Sequence, residues 1–85
     1  MEFSVIFDKK AAKELLKLPK DIKIRIFNKI IESKKDPSRF FERLEGRNDY
    51  RLRVGDYRVI ADINLKEKRI EVTKIGHRKN IYKKD

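Results

Sequence analysis

Cysteine and tryptophan are absent from this 85-residue chain, and histidine occurs once, proline twice and glycine three times. Without cysteine there is no disulfide framework and no thiolate metal site. One histidine and no tight carboxylate cluster leave no metal-ligand spacing, so no metal is expected. No glycine-rich phosphate loop and no Ser/His/Asp arrangement is present, and no cofactor is expected. No apolar run approaches the roughly 20 residues that cross a bilayer. The start, Met1-Glu2-Phe3-Ser4, carries an acid where a secretory leader would be basic. The expectation is a cytoplasmic protein without membrane contact. Internal repeats, low-complexity tracts and linkers are also missing, so residues 1–85 read as one domain.

What is present is positive charge. Lysine and arginine number 24 against 14 acids, a net charge of +10. Residues 1–45 carry 12 basic and 8 acidic groups, residues 46–85 carry 12 and 6. A heat-adapted surface explains many charges. It does not explain a surplus of one sign, which is self-repulsive and points to a polyanionic partner.

The apolar pattern changes period along the chain. Phe3, Val5 and Phe7 alternate with Glu2, Ser4 and Ile6, the period of a strand. Asp8 is placed to cap a helix over Lys9–Leu18, with Ala11, Ala12, Leu15, Leu16 and Leu18 at helical spacing. Pro19 ends that helix and suits the start of the next. There Ile22, Ile26, Phe27, Ile30 and Ile31 form one stripe, closed by Asp36-Pro37. Phe40 and Phe41 are expected to pack a loop over the core, with Glu42 and Glu45 solvated in that loop. Beyond Gly46 the period is two. Tyr50–Val54, Tyr57–Ile63 and Arg69–Ile75 read as an antiparallel meander, with Gly55-Asp56 as a two-residue turn. Lys79–Asp85 reads as a short polar tail. The order β-α-α-β-β-β defines an α+β domain with a two-helix hairpin on one sheet face.

The turn fixes the register: Val54 faces Tyr57, Arg53 faces Arg58, Leu52 faces Val59 and Arg51 faces Ile60. Tyr50, Leu52, Val54, Tyr57, Val59 and Ala61 then point toward the helices. Arg51, Arg53 and Arg58 share the opposite side. Like charges directly across a sheet destabilise it, so the cluster serves something other than folding. Guanidinium groups engage phosphate oxygens in pairs. Asp62, on the same side, is expected to partner an arginine. Gly76, His77, Arg78, Lys79 and Tyr82 follow the last strand. Cations beside an aromatic ring are how single-stranded RNA is commonly gripped. His77, Lys79 and Lys74 are therefore RNA-binding candidates.

The opening strand ending Phe7-Asp8, then Leu44-x-Gly46, the hairpin Tyr50-Arg51-Leu52-Arg53-Val54-Gly55-Asp56-Tyr57-Arg58 and the segment Ile75-Gly76-His77-Arg78-Lys79 with Tyr82 resemble the RelE/ParE toxin superfamily, on the RelE side. The resemblance spans essentially the whole chain. It implies a microbial-ribonuclease-like fold and metal-independent endoribonuclease cleavage of messenger RNA in the ribosomal A site. There the 2′-hydroxyl attacks the adjacent phosphodiester. It also implies an acidic RelB-like antitoxin that wraps the toxin, in an assembly that can reach a heterotetramer. By position, Arg58 holds the reacting phosphate, Arg78 stabilises it or protonates the leaving oxygen, and Tyr82 stacks or acts as base. Arg51 and Arg53 stand where many members carry lysine. Arginine does not give up its proton in proteins, which leaves the general base open between Tyr82 and His77. A ParE-like gyrase poison and a non-catalytic RNA-binding module of the same fold are the alternatives.

Overall fold

The computed structural model describes residues 2–81. Strand β1 (Ser4–Phe7) leads into helix α1 (Lys9–Leu16), whose first turn is closed by the Asp8 carboxylate accepting from the Ala11 N–H at 2.8 Å. Pro19 sits immediately before helix α2 (Lys20–Glu32), and α1 and α2, joined by a short turn, contribute Ala11, Ile26 and Ile30 to one core. A single turn, α3 (Pro37–Phe40), precedes β2 (Phe41–Arg43). Strands β3 (Tyr50–Val54), β4 (Tyr57–Asn64) and β5 (Arg69–His77) are the meander, and α4 (Arg78–Ile81) follows directly.

The sheet has five strands in the order β1-β5-β4-β3-β2. The last strand is thus central, parallel to β1 on one side and antiparallel to β4 on the other. The β3–β4 register is the expected one, Val54 with Tyr57 through Arg51 with Ile60. Gly55 has φ +58° and Asp56 an ordinary negative φ, the arrangement of a type II′ turn.

Leu52, Val59, Ala61, Ile70, Val72 and Ile75 from the sheet meet Ala11, Ile26 and Ile30 from the helices, all essentially inaccessible to water. Phe41 is buried with them and Phe40 packs at their margin. Two features depart from the sequence reading. The α2 stripe is narrower, because Ile22, Ile26 and Ile30 turn inward while Phe27 and Ile31 are 44% and 41% exposed. With Ile24 they line a second, outward stripe. In addition, the segment read as a loop with solvated Glu42 contains β2, paired to β3 with Glu42 opposite Arg51.

A partly buried Glu14 on α1 ties the helices to the centre of the sheet. Its carboxylate accepts from the Ile75 N–H at 2.8 Å. The β4–β5 register shifts between Ile60 and Ala61, leaving Thr73 as the extra residue. Such a bulge interrupts the ladder and leaves groups to be satisfied otherwise.

Candidate phosphate-binding site

The hairpin turn and the exit from β5 meet at one end of the sheet. Arg58 lies across from Gly76, and Tyr57 across from His77. The Arg78 N–H donates to the Asp56 carbonyl at 2.8 Å, which fixes α4 to the turn. Arg78 Nε lies 3.8 Å from the Asp56 carboxylate, with both side chains largely in solvent. An exposed pair at that separation contributes little and leaves the guanidinium available.

Arg58 is held differently. Its Nη1 donates to the carbonyls of Gly55 and Tyr57, both at 2.8 Å. Neutral carbonyls orient the guanidinium without cancelling its charge. Gly76 leaves the space beside Arg58 open, and Ile81 of α4 fills part of it: a Cβ on Gly76 would lie 3.5 Å from Ile81 Cδ1. Ile81 is 4% exposed, so α4 is anchored on the sheet face away from α1 and α2.

Arg51 and Arg53 share that face, but their surroundings differ from the sequence reading. Arg51 Nη2 donates to Glu42 Oε1 at 2.5 Å, and Arg53 Nη2 lies 3.9 Å from the same oxygen. The hydrogen bond from Arg51, with its charge and that of Arg53, holds the Glu42 carboxyl below its ordinary value. Glu42 is therefore the arginine partner. Asp62, expected in that role, stands across from Glu71 and has no ion-pair partner among the described residues.

The remaining candidates scatter. Lys74 is half-buried across from Ile60, on the arginine face. Lys79 is exposed on α4. His77 belongs to the other side. Strand β5 continues through it, so it faces the same way as Tyr57, whose ring it meets edge-on at 5.4 Å between centroids. Its Nδ1 accepts from the Lys79 N–H at 3.1 Å, which occupies one of the two ring nitrogens. The structure thus separates His77 from Arg58. Tyr82 lies outside the described residues.

Arg58 and Arg78 together make a cationic end to an α+β sheet, an arrangement suited to an anionic ligand rather than to metal or redox chemistry. The match to known proteins is in keeping. The family model described as the ParE toxin of the type II toxin–antitoxin system parDE matches residues 5–82. A chain of the archaeal RelE–RelB complex from Pyrococcus horikoshii is 33% identical, with a TM-score of 0.79 over 94% of this chain and 99% of that one. A chain of the RelB–RelE complex from Methanococcus jannaschii is 32% identical, with a TM-score of 0.72 over 91% and 94%. One from the RelBE2 complex of Mycobacterium tuberculosis, at 22% identity and a TM-score of 0.82 over 91% and 99%, shares the fold. No curated protein matches the sequence. The chain belongs to the RelE/ParE superfamily of toxins from toxin–antitoxin systems.

Proposed function

We propose that this protein is a RelE-type toxin that cuts messenger RNA on the ribosome, restrained by an acidic RelB-like antitoxin. The observation that carries the reading is the meeting of Arg58 and Arg78 at one end of the sheet, neither closely paired with a carboxylate. Such a pair suits a phosphodiester in the act of transfer. The 2′-oxygen forms a bond to phosphorus, the bond to the 5′-oxygen breaks, and a 2′,3′-cyclic phosphate remains. Arg58 holds the non-bridging oxygens as charge builds on them. Arg78, on the solvent side, offsets the charge on the leaving 5′-oxygen, which takes its proton from water. Both groups orient the strand for in-line attack, and orientation is worth much of such a barrier. Proton removal from the 2′-hydroxyl falls to Tyr82 rather than His77, since His77 turns to the helix side of the sheet.

A partner of opposite charge fits the net charge of +10. The RelE proteins of P. horikoshii and M. jannaschii were both obtained as complexes with RelB. The description of the matching family favours a second reading, a ParE-like poison of DNA gyrase without nuclease activity.

Primer extension on translated messages after induction separates these. Codon-dependent cuts that vanish in Arg78→Ala are expected. Intact messages with trapped DNA breaks would make the protein a gyrase poison. Intact messages and intact DNA would leave a binding module.

A further inference from the structure

Strand β2 pairs with β3 only from Tyr50 to Leu52, so Arg53, Val54 and Gly55 form a free sheet edge. Between that edge and α2 runs a groove of about 620 Å³, lined by Arg25, Asn28, Lys29, Glu32, Arg53 and Gly55 among others. Three cations face one carboxylate there. Glu32 lies 3.8 Å from Lys29, and both are largely solvated.

Arg25 is the unusual member. Its guanidinium lies against the turn, with Nη2 3.3 Å from where a Cβ on Gly55 would stand. Among the described residues it has no hydrogen-bond or ion-pair partner. A planar cation without an acceptor, held over backbone beside a second arginine, is arranged for a ligand that brings its own oxygens.

We infer that this groove is a second phosphate-binding site, which carries the RNA strand round the free edge of β3 from Arg58 to Arg25. The inference rests on the RNA reading above and extends it to a part of the molecule outside the Arg58–Arg78 site. Arg53 links the two. It stands directly across from Arg58 in the sheet, a Cα separation of about 5 Å in such pairs, and the same residue borders the groove at the free edge. A strand held at Arg58 therefore has its neighbouring phosphate at Arg53 and a further one at Arg25. The alternative occupant is an acidic protein segment. Continuity with the arginine face and the scarcity of apolar lining, Ile31 and Val54, favour a phosphodiester chain.

The test is binding of a fully 2′-O-methylated single-stranded oligoribonucleotide, which cannot be cut, followed by fluorescence anisotropy across a salt series. Arg25 is exposed and unpartnered, so the melting temperature of Arg25→Gln should match the parent. Its affinity should fall roughly fivefold near 0.1 M salt, and the slope of log K against log salt should flatten by about 0.7, the value of one single-strand phosphate contact. Arg25→Lys should restore most of both. A dinucleotide too short to reach the groove should bind parent and variant alike. Arg58→Ala serves as the reference. If it weakens binding while Arg25→Gln changes neither affinity nor slope, the groove assignment falls and the RNA reading stands. If neither variant weakens binding, the RNA reading falls and the groove with it. A loss confined to duplex RNA, or to an acidic antitoxin, would also overturn the assignment.

Discussion

Replacing Glu42 with glutamine should make this protein a tighter RNA binder. Glu42 occupies Arg51 at 2.5 Å and draws on Arg53 at 3.9 Å, so one carboxylate holds two of the cations on the arginine face. Its side chain is 60% exposed, and the substitution leaves the core untouched. Each additional phosphate held on a single strand contributes about 0.7 to the slope of log K against log salt. Between 1 M and 0.1 M salt, one arginine released to the strand is worth about 0.7 in log K, roughly fivefold. The Glu42→Gln variant should therefore bind a non-cleavable single strand about fivefold more tightly at about 0.1 M salt, with a steeper salt slope. The pH dependence carries its own sign. The carboxyl is held below its ordinary value of 4.5, so the ion pair is complete above that pH. It is lost only as pH falls through the lowered value, taking its share of stability with it. The parent should gain affinity in that acidic window and converge on the variant, which stays flat. Unchanged or weaker binding by Glu42→Gln at neutral pH would refute the idea that Glu42 competes with RNA. Glu42 would then be aligning Arg51 rather than withholding it.

His77→Ala should leave RNA affinity within about twofold of the parent, whereas Arg58→Ala lowers it by about the fivefold worth of one phosphate contact; equal losses in the same anisotropy assay would put His77 on the wrong face. Glu14→Ala leaves the Ile75 N–H without its acceptor in a partly buried site, and denaturant unfolding should show a loss of about 1–3 kcal/mol. No measurable change would mean that water replaces the carboxylate.

The β3–β4 hairpin was legible because two signals agreed. Gly55-Asp56 set the loop length, and strict alternation on both sides left a single register that buries Leu52, Val54, Val59 and Ala61. The same alternation put Arg51, Arg53 and Arg58 together. Strand β2 was not legible, since three residues offer too short a pattern and follow a proline-initiated turn. Missing it hid the pairing of Glu42 with Arg51, an interaction 9 positions apart that exists only through that strand. Helix α2 failed for another reason. Ile22, Ile26 and Ile30 share one helical spacing, Ile24, Phe27 and Ile31 another, and periodicity cannot decide which meets the sheet. For His77, the apolar alternation fades after Ile75 although the strand itself runs on to His77. Carried two residues further, alternation returns it to the core side with Tyr57. Arg25 gave no local signal, since its surroundings come from the distant turn at Gly55.

The strand order fixes when this protein can begin to work. Strand β5 lies between β1 and β4, yet it is the last of the five to be made. Until His77 has left the peptide exit tunnel, β1 has no complete neighbour and the hydrophobic interior cannot close. Such non-local pairing is also slow to form once it is possible. Arg58 emerges well before Gly76 and Arg78, which must arrive to complete its surroundings. A nascent chain thus lacks the assembled arginine site, which is completed only by the late arrival of a central strand.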